Sequence, residues 1–262
     1  MEPVLLYGFP LGSSMGLVAA FERLGQPYRL CRVDMLTEMK NDAYASINGR
    51  QETPVLITDE GRVLTETMAI AAWLEARDTQ RRISFDPRSP EGDRMHQLMA
   101  FVNTGFTAAF TPLWAAYEME SAEPMQLATL RDFGRKVVTN RHVQLEAMIL
   151  DTDFLVGDRP TLADTTLIGV ARWAEFHQAV DGAAYPRLAA LRRRIEADPA
   201  VRYALAVEAG EKPAGSGACL GHVPLAEVID RFAAYSARSA ARRPGAGRWR
   251  QARRDRLSYG RS

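Results

Sequence analysis

One segment restricts what this chain can fold into more than any other. A proline stands at the mouth of an apolar run, Thr53-Pro54-Val55-Leu56-Ile57. A turn at Asp59-Glu60-Gly61 follows. The segment ends in Leu64-Thr65-Glu66-Thr67-Met68-Ala69-Ile70-Ala71-Ala72-Trp73-Leu74. Proline has no N–H to give to a ladder and holds the preceding residue extended, so Thr53 presents free main-chain groups at a strand entrance. Past the hairpin, an acid and a hydroxyl residue open an amphipathic helix. The unpaired N–H groups of a helix start attract a carboxylate. Together these features make a slot for a peptide-like ligand with a free amine and a free carboxylate.

The surrounding pattern predicts an α/β unit over residues 1–78. Val4 to Phe9 and Tyr28 to Val33 read as strands. Ser14 to Leu24 reads as a helix with Leu17, Val18, Phe21 and Leu24 on one face, stopped by Gly25. Thr37 to Ser46 is expected to hold a short helix, Pro54 to Thr58 and Arg62 to Leu64 a hairpin, and Thr67 to Ala76 a closing helix. The order β-α-β-α-β-β-α has a parallel first half and an antiparallel second half. Residues 79–90 are polar, carry Pro87 and Pro90, and read as a linker.

Strand signals vanish after the linker, and residues 91–210 are expected to be all helical. Glu91 to Glu120 forms a long pattern with a break expected at Pro112, and Pro124 to Leu150 a second long helix. Thr161-Leu162-Ala163-Asp164 opens a helix running to about Gln178, and Tyr185-Pro186 and Asp198-Pro199 open two more. Thr161 and Asp164 have the spacing of a capping box, read as structural. Residues 211–262 turn Gly/Pro-rich and then Arg-rich, and read as a partly disordered basic tail, although Pro224 to Arg238 has the pattern of one more helix.

Charge is unevenly spread. Residues 213–262 hold ten Arg against three acids, a net +7, and the other 212 residues carry −6. Such a tail can contact nucleic acid or an anionic partner, but the simpler reading is a solvated extension. At 47% apolar and 25% charged residues the composition is that of a soluble globular protein, and no run approaches the roughly 20 apolar residues of a membrane span. The N-terminus reads as a first strand and not as a signal peptide. Two distant cysteines, Cys31 and Cys219, give neither a disulfide framework nor metal spacing, so a reducing cytoplasm is the expected compartment. His96, His142, His177 and His222 lack ligand spacing, and no metal is expected.

Two further constellations bear on chemistry. The loop Tyr7-Gly8-Phe9-Pro10-Leu11-Gly12-Ser13-Ser14 leads into the first helix. A hydroxyl at a helix start can donate to a bound thiolate, and the helix dipole favours the same charged form. The competing reading is a plain N-cap. Phe106, Phe110, Trp114 and Tyr117 form a stripe along one helix face. Ordinary core is the simpler account, and an apolar substrate wall the sharper one, resting on Phe106, Phe110 and Trp114.

These motifs, in this order, resemble the cytosolic glutathione transferases over roughly residues 4–210. The supporting residues are the strand–Ser loop–helix, Asn48 through Thr53-Pro54, Leu64 through Ile70, and Gly157 through Asp164. The resemblance implies a thioredoxin-like βαβαββα domain followed by an all-helical domain, with glutathione as cosubstrate and a homodimer as the assembly. It implies a cis bond before Pro54, Thr53 pairing with the cysteinyl part of glutathione, and Glu66 and Thr67 holding the γ-glutamyl end. Arg50 or Lys40 is placed to approach the glycine carboxylate.

The bacterial beta class offers the nearest alignment. Its cysteine falls at Ser13, with Ser14 beside it and Tyr7 ranked third. A Ser suits thiolate stabilisation and cannot form a mixed disulfide. Transferase or peroxidase-like chemistry is therefore expected over thiol–disulfide exchange, with conjugation to a small electrophile as the leading reading. The beta-class His-Lys pair has no counterpart near Thr107 and Ala108. The alternative is a non-catalytic binding or regulatory protein on the same scaffold, contacting a partner through its basic tail.

Overall fold

The computed structural model describes residues 2–119, 121 and 123–241, the last eight of these by their backbone alone. Its first strands follow directly from the apolar alternation. Strand β1 (Val4–Phe9) pairs in parallel with β2 (Tyr28–Asp34) and antiparallel with β3 (Val55–Ile57), which pairs antiparallel with β4 (Val63–Thr65). Helix α1 (Met15–Leu24) crosses between β1 and β2. It ends at Gly25, whose φ of 73° is the left-handed conformation that glycine adopts without steric cost. A 3-10 turn (Glu38–Lys40) and the short α2 (Asp42–Ala45) fill the expected Thr37–Ser46 helix in two pieces, and α3 (Thr67–Glu75) closes the unit.

Successive residues of a strand face opposite sides of a sheet. Leu5, Tyr7, Leu30 and Leu56 therefore face α1, α3 and the helical half, while Val4, Leu6, Cys31, Val33, Val55 and Ile57 face the other way. That second face corrects the reading of residues 211–262 as a tail outside the fold. Strand β5 (Cys219–His222) pairs in parallel with β2, giving a five-stranded sheet of order β4-β3-β1-β2-β5. Helix α11 (Leu225–Ala241) then lays Leu225 and Val228 on the second face, together with Val223 from the connection. The reason is physical: an apolar sheet face needs a covering layer, and an open edge at β2 needs a partner. The Arg-rich residues 242–262 lie outside the described residues.

The helical half begins with α4 (Pro90–Ala100), capped by Ser89 accepting from the Gly92 N–H at 3.1 Å. The break expected at Pro112 starts earlier. Residues Phe101–Phe106 form a π-helical turn and Ala108–Phe110 a 3-10 turn, before α5 (Thr111–Glu118) resumes with Pro112 in its first turn. Next come α6 (Pro124–Met148), α7 (Leu162–Ala171), the single turn α8 (Trp173–Phe176), α9 (Pro186–Ala197) and α10 (Pro199–Glu208). The helix expected from Thr161 to Gln178 is thus broken at Arg172.

The capping box forms as expected. Asp164 is fully buried and accepts from the Thr161 N–H at 2.8 Å, the Thr161 hydroxyl at 3.0 Å and the Leu155 N–H at 2.9 Å. Burial pushes its carboxyl up to about 6 against the pull of these donors.

Helices α1 and α7 meet backbone to backbone. A side chain on Gly16 would stand 1.9 Å from the Thr165 carbonyl oxygen, and one on Gly169 would stand 2.3 Å from that of Ser13. Helix α1 is thereby seated against the helical half at its N-terminal end, where the first loop delivers its hydroxyl residues.

Candidate functional site

A cleft of about 250 Å³ opens between the two halves. Ser13, Asn48, Arg50, Glu52, Thr53, Pro54, Glu66 and Thr67 line its sheet side, and Asn103, Thr107, Thr166 and Val170 its helical side. The Thr53–Pro54 peptide is cis, and so is Phe9–Pro10. The residue before Thr53 is pinned: the Glu52 carbonyl accepts from the Tyr44 hydroxyl at 2.7 Å and from Asn48 Nδ2 at 2.8 Å. Among the described residues, Thr53 makes no main-chain hydrogen bond through its own N–H or C=O, which leaves both for a ligand. Its hydroxyl rests on the Met35 sulfur at 3.5 Å.

Helix α3 starts on this cleft. Glu66 precedes it at φ 74°, and no side chain caps its first N–H groups. A non-glycine residue in that conformation costs on the order of 1–3 kcal/mol, and such residues concentrate at ligand clamps. Arg50 ties the rim together. Its guanidinium pairs with Glu66, meets Glu52 Oε2 at 2.9 Å and reaches Thr65 Oγ1 at 3.3 Å. A carboxylate, two free main-chain groups, a cation and a bare helix start therefore surround one small volume.

The first loop separates its two serines. Ser13 lines the cleft. Ser14 is fully buried, and its Oγ accepts from the Gly8 N–H at 2.9 Å, bracing the turn from behind. The expectation for Ser14 at a bound sulfur is corrected to this structural position. Tyr7 is also buried. Its hydroxyl donates to the Val207 carbonyl at 3.2 Å and lies 3.1 Å from His222 Nε2, and burial raises its pKa well above the ordinary phenol value. Cys31 is buried and its thiol is pushed up to about 12 by desolvation, so it carries no thiolate at neutral pH.

Four other expected positions change. Lys40 sits exposed on the 3-10 turn and does not line the cleft, whereas Arg50 does. Phe106 and Phe110 are fully buried and pack on His142, with ring centroids 4.8 and 6.5 Å away, so they are core and not a substrate wall. Trp114 stacks on Phe176 at 5.4 Å and packs edge-on to Trp173 at 5.4 Å, away from the cleft lining. The helical wall consists instead of Asn103, Thr107, Thr166 and Val170. The π turn sets two of these: Asn103 lies within it, and the Thr107 N–H and hydroxyl both bond back to Val102 O, at 2.8 and 2.9 Å. No three His, Cys, Asp or Glu side chains cluster for a metal among the described residues.

The Glutathione S-transferase N-terminal domain family matches residues 14–77, and the Glutathione S-transferase C-terminal domain family matches residues 110–199. The chain belongs to the glutathione transferase superfamily. It is 24% identical to glutathione S-transferase GstA of Escherichia coli O157:H7 over 205 residues, covering 78% of this chain and 98% of that protein. It is 29% identical to glutathione S-transferase GST-4.5 of Xanthomonas campestris pv. campestris over 185 residues, covering 70% of this chain and 87% of that protein. A solved glutathione S-transferase from Xylella fastidiosa superposes with a TM-score of 0.71 at 25% identity, covering 80% of this chain and 100% of that one. The superfamily's two-domain arrangement, a thioredoxin-like sheet unit followed by helices, is the one described above. No helix among the described residues is long and apolar enough to cross a membrane.

Proposed function

We propose that this glutathione transferase binds glutathione in the cleft and uses Ser13 to hold its sulfur as thiolate for attack on a small electrophile. The observation that carries the reading is the convergence of Ser13, Thr53, Glu66 and Thr67 on one cavity, although they come from three separate elements. Thr53 exchanges main-chain hydrogen bonds with the cysteinyl unit, as an exposed strand edge does with a peptide. Glu66 takes the γ-glutamyl ammonium, and the α3 N-terminus with Thr67 takes its carboxylate. Arg50 approaches the glycine carboxylate.

The sulfur then lies by Ser13, at the start of α1. The hydroxyl donates to the thiolate and the helix dipole favours it, lowering the thiol pKa from the roughly 8.5 of a free thiol. The thiol proton leaves to solvent. The sulfur lone pair forms the new S–C bond as the electrophilic carbon gives up its leaving group or its π pair. The protein supplies orientation and an activated nucleophile, and the electrophile rests on Asn103, Thr107, Thr166 and Val170. A cytoplasmic homodimer is the proposed form.

Retention on immobilised glutathione, followed by turnover of an activated aryl halide, tests the reading. Retention with turnover that falls in Ser13→Ala supports it. Retention without turnover of any electrophile favours a binding protein on the same scaffold.

A further inference from the structure

The loop that carries Ser13 is held by an ion pair belonging entirely to the helical half. Arg172, at the break between α7 and α8, meets Glu208 at the end of α10 through both guanidinium nitrogens, with Nη2 2.7 Å from Oε1 and Nη1 on Oε2. Both side chains are largely buried, at 14% and 9% exposure. The pair closes on Gly12. Arg172 Nη2 donates to the Gly12 carbonyl at 2.9 Å, and the Gly12 N–H donates to Glu208 Oε1 at 3.1 Å. The next residue, Trp173, donates its indole N–H to the Leu11 carbonyl at 2.8 Å. From the sheet side, Arg32 donates to the Glu208 carbonyl at 2.9 Å and lies over the Phe9 ring.

The partners are chemically matched. A peptide unit offers a donor and an acceptor, and the two halves of an ion pair offer the complements. A guanidinium fork can hold a carboxylate and still reach a carbonyl, which an ammonium point charge does not do. Gly12 admits no side chain, because one would stand 2.2 Å from the Gly8 carbonyl oxygen. Its peptide thus comes close enough for both bonds, and Ser13 follows directly. Nothing in the clamp touches the cleft itself, which neither Arg172 nor Glu208 lines.

We infer that Arg172 and Glu208 are positioning residues: through Gly12 they fix where the Ser13 hydroxyl and the α1 N-terminus meet a bound thiol. The inference rests on the glutathione-transferase reading above. Its consequence is selective. Glutathione is held by Thr53, Glu66 and Thr67 on elements the clamp does not touch, so loosening it affects thiol ionisation and kcat before glutathione affinity. The Arg172–Glu208 pair therefore reports to the chemistry without contributing a group to it.

The test is a pH titration of the thiolate ultraviolet absorbance in the glutathione complexes of wild type, Glu208→Ala, Glu208→Gln and Arg172→Lys, with kcat and KM for glutathione measured alongside. In Glu208→Ala the thiolate midpoint is expected to rise by about one pH unit and kcat to fall roughly ten-fold, with KM for glutathione within about two-fold. Glu208→Gln keeps an acceptor for the Gly12 N–H and is expected to recover most of kcat. Arg172→Lys keeps the charge, loses the fork, and is expected to resemble Glu208→Ala. Should Glu208→Ala fail to fold, the other two variants decide. A rise in KM with unchanged midpoint and kcat overturns the inference and leaves the proposed function standing. Absence of a thiolate band from the wild-type complex overturns both.

Discussion

Two neighbouring hydroxyls in the first loop have different destinies. Ser13 faces the cleft, and Ser14 spends its lone pair on the Gly8 N–H. Ser13→Ala is expected to lower kcat/KM for conjugation by about ten- to a hundred-fold with little change in thermal stability, as loss of a donor to a developing charge does. Ser14→Ala is expected to cost about 1–3 kcal/mol of stability, the penalty of a buried N–H left alone. Paired unfolding and turnover measurements on the two variants check this, and a larger turnover loss in Ser14→Ala, corrected for folded fraction, contradicts it. Asp164 gives a pH prediction. Its folded pKa of about 6 lies above the ordinary Asp value of about 3.9, so folding takes up a proton. The group's contribution is complete below about pH 4 and is lost as pH rises through about 6. Asp164→Asn is expected to flatten that part of the stability profile, read by denaturant unfolding across the range. The sequence shows the Thr161–Asp164 box by spacing alone. It does not show which serine faces the ligand, because consecutive residues at a helix start are separated only by the tertiary turn behind them.

Elements were legible where one local signal dominates. The Gly25 stop and the Thr53-Pro54 entrance are each visible as a local residue signal, and each appears in the structure, whereas the helix expected from Glu91 starts one residue earlier, at Pro90 behind its Ser89 cap. The irregular stretch after α4 was not. Pro112 is the obvious breaker, yet it sits comfortably in the first turn of α5, and the departure begins at Phe101 with no proline present. A π turn adds one residue to a helical loop and turns the following face. This is why the aromatic stripe, correctly spaced for one face, drops Phe106 and Phe110 into the core. It also brings Asn103 and Thr107 to the cleft. Thr107→Val is expected to alter electrophile preference more than glutathione KM, since Thr107 stands on the helical wall opposite the proposed peptide-binding groups. An equal change in both constants argues against that division of labour. The close contact of Gly16 and Gly169 with the facing backbones left only bare glycines as its trace in sequence.

At the scale of the whole molecule, the chain after α10 belongs to the sheet. Composition suggests a detached tail because its glycine, proline and arginine stand out, and the apolar positions Val223, Leu225 and Val228 are faint against that background. Yet Val223, Leu225 and Val228 are buried on the sheet face formed by Val4, Leu6, Val33 and Ile57. Burying a large aliphatic side chain is worth about 1.5–3 kcal/mol. Truncation before Pro213 is therefore expected to cost on the order of 5 kcal/mol and to yield aggregating protein, while a truncation after Ala241 retains Val223, Leu225 and Val228. Differential unfolding of the two truncations separates the cases. On the proposed function, sheet-side residues of the cleft between the halves hold a tripeptide and the first loop meets its sulfur. The most direct measurement is a crystal structure with glutathione bound. The account predicts the sulfur about 3 Å from Ser13 Oγ, the reach of a charge-assisted hydrogen bond, with the cysteinyl backbone on Thr53 and the γ-glutamyl end on Glu66 and Thr67. Glutathione seated elsewhere, or with its sulfur turned away from Ser13, would contradict it.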